Sequence, residues 1–188
     1  QIVTNAHLIN QGKLPDRKIR AGSDCFFLEE RDAAKLAALV VDLVAWRIPN
    51  GQTPYPSEQI IVLAPMKKGP CGVLRLNELL QARLNPPARD KAEIRAPGGQ
   101  ILRVGDPVLN GRNDYDKDVF NGDIGRISAI DVEEKSLSAR YYDRVVDYEW
   151  SELDQLVLAY AISIHKSQGS EYPAVVVPIL PQHYIMLQ

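Results

Sequence analysis

Seven consecutive residues concentrate the polar chemistry of this chain: His165-Lys166-Ser167-Gln168-Gly169-Ser170-Glu171. They supply an imidazole, an ammonium, two hydroxyls, a carboxamide and a carboxylate. Such a set can donate to phosphate oxygens or base edges and accept from a sugar hydroxyl. Gly169 adds backbone freedom and lets a ligand come close. Apolar runs over residues 156–164 and 174–180 flank the stretch. Runs of that length suit buried strands of an α/β sheet, although helix shares the signal. A polar loop between two such strands lies at a sheet edge, where α/β proteins bind ligands. Composition alone reads the stretch equally well as a solvated turn.

A second candidate follows Ile60-Ile61-Val62-Leu63-Ala64, the clearest buried strand in the sequence. The loop Pro65-Met66-Lys67-Lys68-Gly69-Pro70 comes next, then a helix over residues 71–84. Val73, Leu76, Leu80 and Leu84 mark the buried face of that helix. Pro70 suits its first turn. Strand, basic loop and helix N-terminus together make an anion site, with Lys67 and Lys68 supplying charge. Two loop lysines taken alone suit plain solvent as well. The P-loop pattern Gly-x-x-x-x-Gly-Lys-Ser/Thr occurs nowhere in these residues.

The remaining elements position these loops. Residues 1–10 read as the end of a helix already under way, which points to a piece of a longer protein. Asn5 and His7 in it read as solvated or locally bonded. Residues 25–28 read as a short strand. Residues 31–47 read as an amphipathic helix with Leu36, Leu39, Val40 and Leu43 in one stripe. Residues 85–99, rich in Pro, Gly and charge, read as a linker. The pattern then changes. Residues 101–110, with a kink at Gly105-Asp106-Pro107, and residues 124–130, 137–141 and 146–150 read as short antiparallel strands in a small barrel or meander. Alternation turns Tyr141, Val146, Tyr148 and Trp150 toward neighbours. The barrel is expected to project from the α/β body.

Composition is that of an ordinary globular domain, with 45% hydrophobic and 24% charged residues over 188 positions. No apolar run is long enough to span a membrane. The start is not a signal peptide. Cys25 and Cys71 are isolated and read as reduced thiols of a cytoplasmic protein. Net charge is −2, but the middle third is mildly basic and the last third acidic. His7, His165 and His183 pair with no nucleophile and show no metal spacing, which speaks against a free-standing hydrolase.

Three stretches carry a family resemblance. Residues 163–171, Ser-Ile-His-Lys-Ser-Gln-Gly-Ser-Glu, resemble motif V of RecD-type superfamily 1 DNA helicases, which include the exodeoxyribonuclease V alpha subunit. Residues 63–70, followed by Leu76-Asn77 and Leu84-Asn85-Pro86, resemble the motif IV region. Gly105-Asp106-Pro107-Val108-Leu109-Asn110, Asn113-Asp114-Tyr115-Asp116 and residues 119–125 resemble the start of that family's SH3-like insertion. Pro107 departs from the polar residue usual there.

The resemblance implies an α/β fold: the second RecA-like (P-loop NTPase-type) motor domain, a mostly parallel sheet flanked by helices. A small SH3-like β-barrel interrupts it. Residues 1–99 would be the first part of the motor, with motif IV over 60–86. Residues 100–154 would be the insertion, and 155–188 the second part. The implied activity is that of an ATP-dependent 5′–3′ helicase in recombination or repair. Gly169, Glu171, Lys67 and Lys68 would face the nucleotide. Ser163, His165, Lys166, Ser167, Gln168, Asn113, Tyr115 and Asn121 would face single-stranded DNA. Tyr115 or Phe120 could stack on a base, although burial in the barrel core suits Phe120 better. ATP and Mg²⁺ would serve the parent protein and neither would bind this piece alone, since P-loop, acidic Mg²⁺ motif and motif VI arginine lie elsewhere. Partners would be single-stranded DNA, the N-terminal RecA-like domain and other exodeoxyribonuclease V subunits. The alternative is a non-catalytic DNA- or protein-binding module that works through the barrel surface.

Overall fold

The structure, a computed structural model, describes residues 1–186; Leu187 and Gln188, the end of the expected second motor segment, lie outside the described residues. The chain forms two units, Gln1–Arg31 and Asp32–Gln188. In the first, helix α1 (Ile2–Asn10) buries Asn5. The Asn5 amide donates to the Asp16 carbonyl at 3.0 Å and accepts from the Asp16 N–H at 2.7 Å. Asn5 is therefore locally bonded, as its type suggests. Residues 25–28 form no strand. Phe26 and Leu28 are more than half exposed. A strand needs an edge to pair with as well as apolar side chains.

The second unit begins with α2 (Ala33–Asp42), whose N-terminus Asp32 caps through the Lys35 N–H at 2.8 Å. The expected single helix over 31–47 instead widens into a π-type turn at Leu43–Arg47. Strand β1 (Ile60–Ala64) and helix α3 (Val73–Leu84) follow. Leu76 and Leu80 are fully buried. Pro70 precedes the N-cap, Gly72, so it lies outside the first turn. Strands β2 (Glu93–Arg95) and β3 (Ile101–Arg103) form an antiparallel pair. The stretch read as a linker thus contains a strand and buries Ile94 and Ala96. The expected strand over 101–110 breaks at Gly105-Asp106 into β3 and β4 (Pro107–Asn110).

Strands β5 (Ile124–Asp131), β6 (Ser136–Tyr141), β7 (Arg144–Tyr148) and β8 (Leu156–Leu158) join β4 in an antiparallel sheet of order β7-β6-β5-β4-β8. Ile127, Leu137, Tyr141, Val146 and Tyr148 are buried, as alternation requires. Trp150 instead starts a 3₁₀ turn and is 38% exposed. A Cβ on Gly125 would stand 2.7 Å from the Tyr141 ring, so only glycine lets that ring cross β5. The apolar run over 156–164 is divided: β8 joins the antiparallel sheet, and β9 (Ala161–Ser163) joins a parallel one. That sheet has order β10-β1-β9, with β10 at Ala174–Val176. Among the described residues no helix is long and apolar enough to cross a membrane.

The antiparallel unit does not project with a core of its own. One apolar cluster runs from Val40, Val62 and Leu76 through Leu102 to Leu137 and Tyr141. Asp106 sits fully buried in the middle. Its carboxylate accepts from Gln81 at 2.6 Å, Asn85 at 2.6 Å, the Arg103 N–H at 2.8 Å and the Tyr160 hydroxyl at 2.8 Å. Burial first, and the Asp106 charge second, push the Tyr160 phenol far above its ordinary range, so it stays a donor. Asn77 links α3 to β9, donating to the Ala161 carbonyl at 2.7 Å and accepting from its N–H at 2.9 Å.

Two expectations follow. Asp106→Ala takes the acceptor from the Tyr160 hydroxyl and the Arg103 N–H, each costing about 1–3 kcal/mol, and one of two acceptors from Gln81 and from Asn85. Urea denaturation should show a loss of roughly 3 kcal/mol or more; an unchanged midpoint would show the network to be dispensable. His183 is 1% exposed, its Nδ1 accepts from the Leu180 N–H, and burial lowers its pKa from 6.5. The unfolded chain therefore takes up the proton more readily. This contribution is complete above about pH 6.5 and declines as pH falls below it. His183→Asn keeps an acceptor without a titrating ring. It should flatten the fall of Tm on acidification, and an equally steep fall would clear His183 of the effect.

Candidate nucleic-acid and nucleotide interface

Ala64 at the end of β1 stands opposite Ser163 at the end of β9. The loops that follow therefore leave the same edge of the parallel sheet. Lys67 and Lys68 are exposed there. The α3 N-terminus beside them is not an open anion cradle. The Val73 N–H donates to the Met66 carbonyl at 3.0 Å, and the Leu74 N–H to the Lys67 carbonyl at 3.1 Å. The loop has used those donors, so what it offers a ligand is lysine charge.

Strand β9 runs straight into a 3₁₀ turn, Ile164–Ser167. Ser163 is half-buried. Ser167 is buried, and its hydroxyl donates to the Ile164 carbonyl at 2.8 Å. The Ser167 hydroxyl is thus turned into the fold. His165, Lys166, Gln168 and Glu171 are exposed. Gly169 has φ +84° with open space where a Cβ would stand. The chain then reaches Tyr172, which packs on the cluster of Ile61, Leu109, Ala159 and Ile162 between the two sheets.

The loop between β4 and β5 faces this crossover. Asn113 orders it by accepting from the Asn121 N–H at 2.8 Å, and Asp123 by accepting from the Phe120 N–H at 2.8 Å. Lys166 donates to the Asn121 side-chain carbonyl, 45 positions away in sequence. Val119 takes the buried place expected of Phe120. Phe120 is 41% exposed and meets the Tyr115 ring edge-on, with centroids 6.1 Å apart. The smaller β-branched neighbour fills the core, which frees the larger ring for the surface.

A cleft of about 440 Å³ lies between the two loops, lined by Asn121, Asp123, Tyr142, Lys166, Gln168 and Glu171 among others. Gly169 lines it too. The structure thus gathers Lys166, Gln168, Gly169, Glu171 and Asn121, with Asn113 and Tyr115 on the adjoining loop. Lys67 and Lys68 do not line it. Tyr142 is the residue that sequence reading missed. It is 82% exposed at the tip of the β6–β7 hairpin with φ +52°. The available signal was a bulky residue at a two-residue turn that favours Asn, Asp or Gly. Among the described residues no three His, Cys, Asp or Glu stand together to hold a metal ion.

Comparison with known proteins agrees with this arrangement. The SH3 domain of ATP-dependent RecD-like DNA helicases matches residues 76–141, and the UvrD-like helicase C-terminal domain matches residues 158–188. The ATP-dependent RecD2 DNA helicase of Deinococcus radiodurans is 37% identical over 126 residues, which are 67% of this chain and 17% of that protein. The RecBCD enzyme subunit RecD of Mycobacterium tuberculosis is 31% identical over 121 residues, 64% of this chain and 20% of that subunit. The chain thus spans a fifth or less of the length of these curated relatives. Among solved structures, Bacteroides Pif1 bound to single-stranded DNA is similar with a TM-score of 0.51 and 15% identity, over 99% of this chain and 45% of that one. Candida albicans Pif1 helicase gives 0.51 and 18%, over 98% and 50%. At such identities the likeness speaks for the fold, a RecA-like α/β layer with an SH3-like antiparallel sheet. With both domain models matched in the order in which sequence and fold place them, the chain belongs to the RecD-like family of superfamily 1 DNA helicases.

Proposed function

We propose that this chain is the second motor segment of an ATP-dependent DNA helicase that moves 5′ to 3′ on single-stranded DNA in recombination or repair, in the cytoplasm. Residues 1–99 and 155–188 are its motor parts and residues 100–154 its SH3-like insertion. The observation that carries the reading is the cleft in which Asn121 of the antiparallel unit meets Lys166, Gln168, Gly169 and Glu171 of the crossover. Lys166, Gln168, His165 and Asn121 are exposed donors suited to backbone phosphates, which any sequence presents alike. Tyr115 and Phe120 add an exposed aromatic pair for base stacking. The Deinococcus relative named as a DNA helicase and the Pif1 structure with bound single-stranded DNA support the same ligand.

The residues also fit one side of a nucleotide site. Glu171 offers an exposed carboxylate to a ribose hydroxyl, and Gly169 leaves room for close approach. Lys67 and Lys68 offer charge to phosphates at the same sheet edge. ATP with Mg²⁺ supplies a phosphoryl group for transfer to water when bound. This chain's groups orient its sugar edge and relay the contact to the DNA loop through Gln168. The phosphate cradle and Mg²⁺ ligands belong to the N-terminal RecA-like domain, the partner this reading requires. Further exodeoxyribonuclease V subunits are partners by analogy with the Mycobacterium relative.

Binding of a labelled single-stranded oligonucleotide by the 188-residue chain should be weak, insensitive to base sequence and weakened by salt. Lys166→Ala should lower the slope of log K against log salt by about 0.7, the share of one phosphate contact on a single strand. Fluorescence anisotropy at several salt concentrations reads both. Binding that salt leaves unchanged would refute the phosphate assignment. The chain alone should release no phosphate from ATP, with or without DNA, since these residues contain no P-loop. DNA-stimulated turnover by the purified chain would show that it holds a complete site.

A further inference from the structure

A second cleft, of about 620 Å³, lies along the junction of the two sheets. It shares Ile124 and Tyr172 with the first, so the two clefts adjoin. Its antiparallel-sheet wall carries Arg126 on β5 and Arg140 on β6. The two are direct cross-strand partners. Like charges directly opposite each other destabilise a sheet, and opposite charges stabilise it. The pair therefore works against the fold that holds it.

Among the described residues the pair has no directly paired carboxylate. Neither arginine forms a salt bridge there. Arg126 donates from one Nη to the Gly105 carbonyl at 2.6 Å, which fixes its guanidinium and leaves its other donors open. Arg140 is exposed and donates to no protein acceptor there. The buried Asp106 nearby has its oxygens filled by four donors. Glu58 is the one carboxylate in the lining, on the opposite wall, with Ser57 and Gln59 beside it. One held and one free guanidinium in an open groove suit contacts to phosphate oxygens.

We propose that Arg126 and Arg140 form a second phosphate-binding subsite, which takes the backbone of the same single strand after it leaves the Lys166 cleft. That the two clefts adjoin selects a strand over a free nucleotide, because a strand can reach both at once. The assignment rests on the single-stranded DNA reading above and extends it to two arginines that lie outside the family-like motifs.

Arg140→Glu separates this role from a structural one. It places opposite charges across β5 and β6, so Tm should rise, while the subsite loses its charge. Binding of a long oligonucleotide should weaken, with the salt slope falling by about 1.4, the share of two phosphate contacts. A short oligonucleotide that fills only the Lys166 cleft should bind as to the unchanged chain. Lys135→Glu, the same charge change at the far tip of the β5–β6 hairpin, should leave both slopes unaltered. Three results overturn the proposal. One is a wild-type slope for Arg140→Glu with the long strand while Lys166→Ala still lowers it; the DNA reading then stands and the subsite falls. Another is an equal loss with short and long strands, or with Lys135→Glu, which marks a general charge effect. The last is no binding by the unchanged chain, which removes the DNA reading and the subsite together. Inorganic pyrophosphate that displaces the short strand but not the long one supports the two-cleft path.

Discussion

The arrangement of this protein depends on one buried carboxylate. Asp106 stands where the chain leaves the α/β layer for the antiparallel sheet, and Tyr160 stands where it returns to β9. The Asp106–Tyr160 hydrogen bond closes that circuit at 2.8 Å. Gln81 and Asn85 tie the same carboxylate to α3. A buried charge is tolerated only when its lone pairs are filled. Here the filling groups come from three separate parts of the chain. The requirement to satisfy one anion therefore fixes the position of the antiparallel unit on the motor layer. The continuous apolar cluster then supplies the bulk of the burial.

From that junction the position of the polar loops follows. With β1 central and β9 beside it, both strands release their loops at one edge, and Asn77 holds β9 in place through its backbone. The crossover from β9 to β10 contains no α-helix, only a 3₁₀ turn and an extended stretch. It lies against the antiparallel unit, with Tyr172 in the shared apolar cluster. Lys166 therefore reaches Asn121 because two sheets are locked at Asp106. The hydrogen bond between those two side chains is a result of the packing and does not cause it.

Net charge conceals the surface that matters. At −2 overall, the chain does not look like a nucleic-acid binder. The first cleft itself has one ammonium and two carboxylates, of which Asp123 is taken up by the Phe120 N–H. Basic side chains are instead spread along the groove and the adjoining sheet edge as Lys166, Arg126, Arg140, Lys67 and Lys68. A local field of this kind acts over about one Debye length, roughly 10 Å at 0.1 M salt, so the distribution outweighs the sum.

Much of this protein was determined by its sequence alone. The run Ile60–Ala64 read as the clearest buried strand, because five apolar residues ended by Pro65 leave no amphipathic face. The alternation of Leu137, Ala139 and Tyr141 with polar neighbours determined which side of β6 is core. The polar stretch at 163–171 and the three family-like motifs marked the loops that converge. Tertiary structure decided what local pattern does not encode. Residues 25–28 remained unpaired because a strand requires an edge. Residues 93–95 became a strand because residues 101–103 offered one. Val119 took the buried place expected of Phe120, which depends on which side of the loop meets the core. Asp106, Arg126 and Arg140 looked like ordinary turn and strand residues until packing buried the first and set the other two opposite each other. Periodicity reports which face of an element is covered, whereas partners, satisfied charges and clefts arise only when distant elements meet.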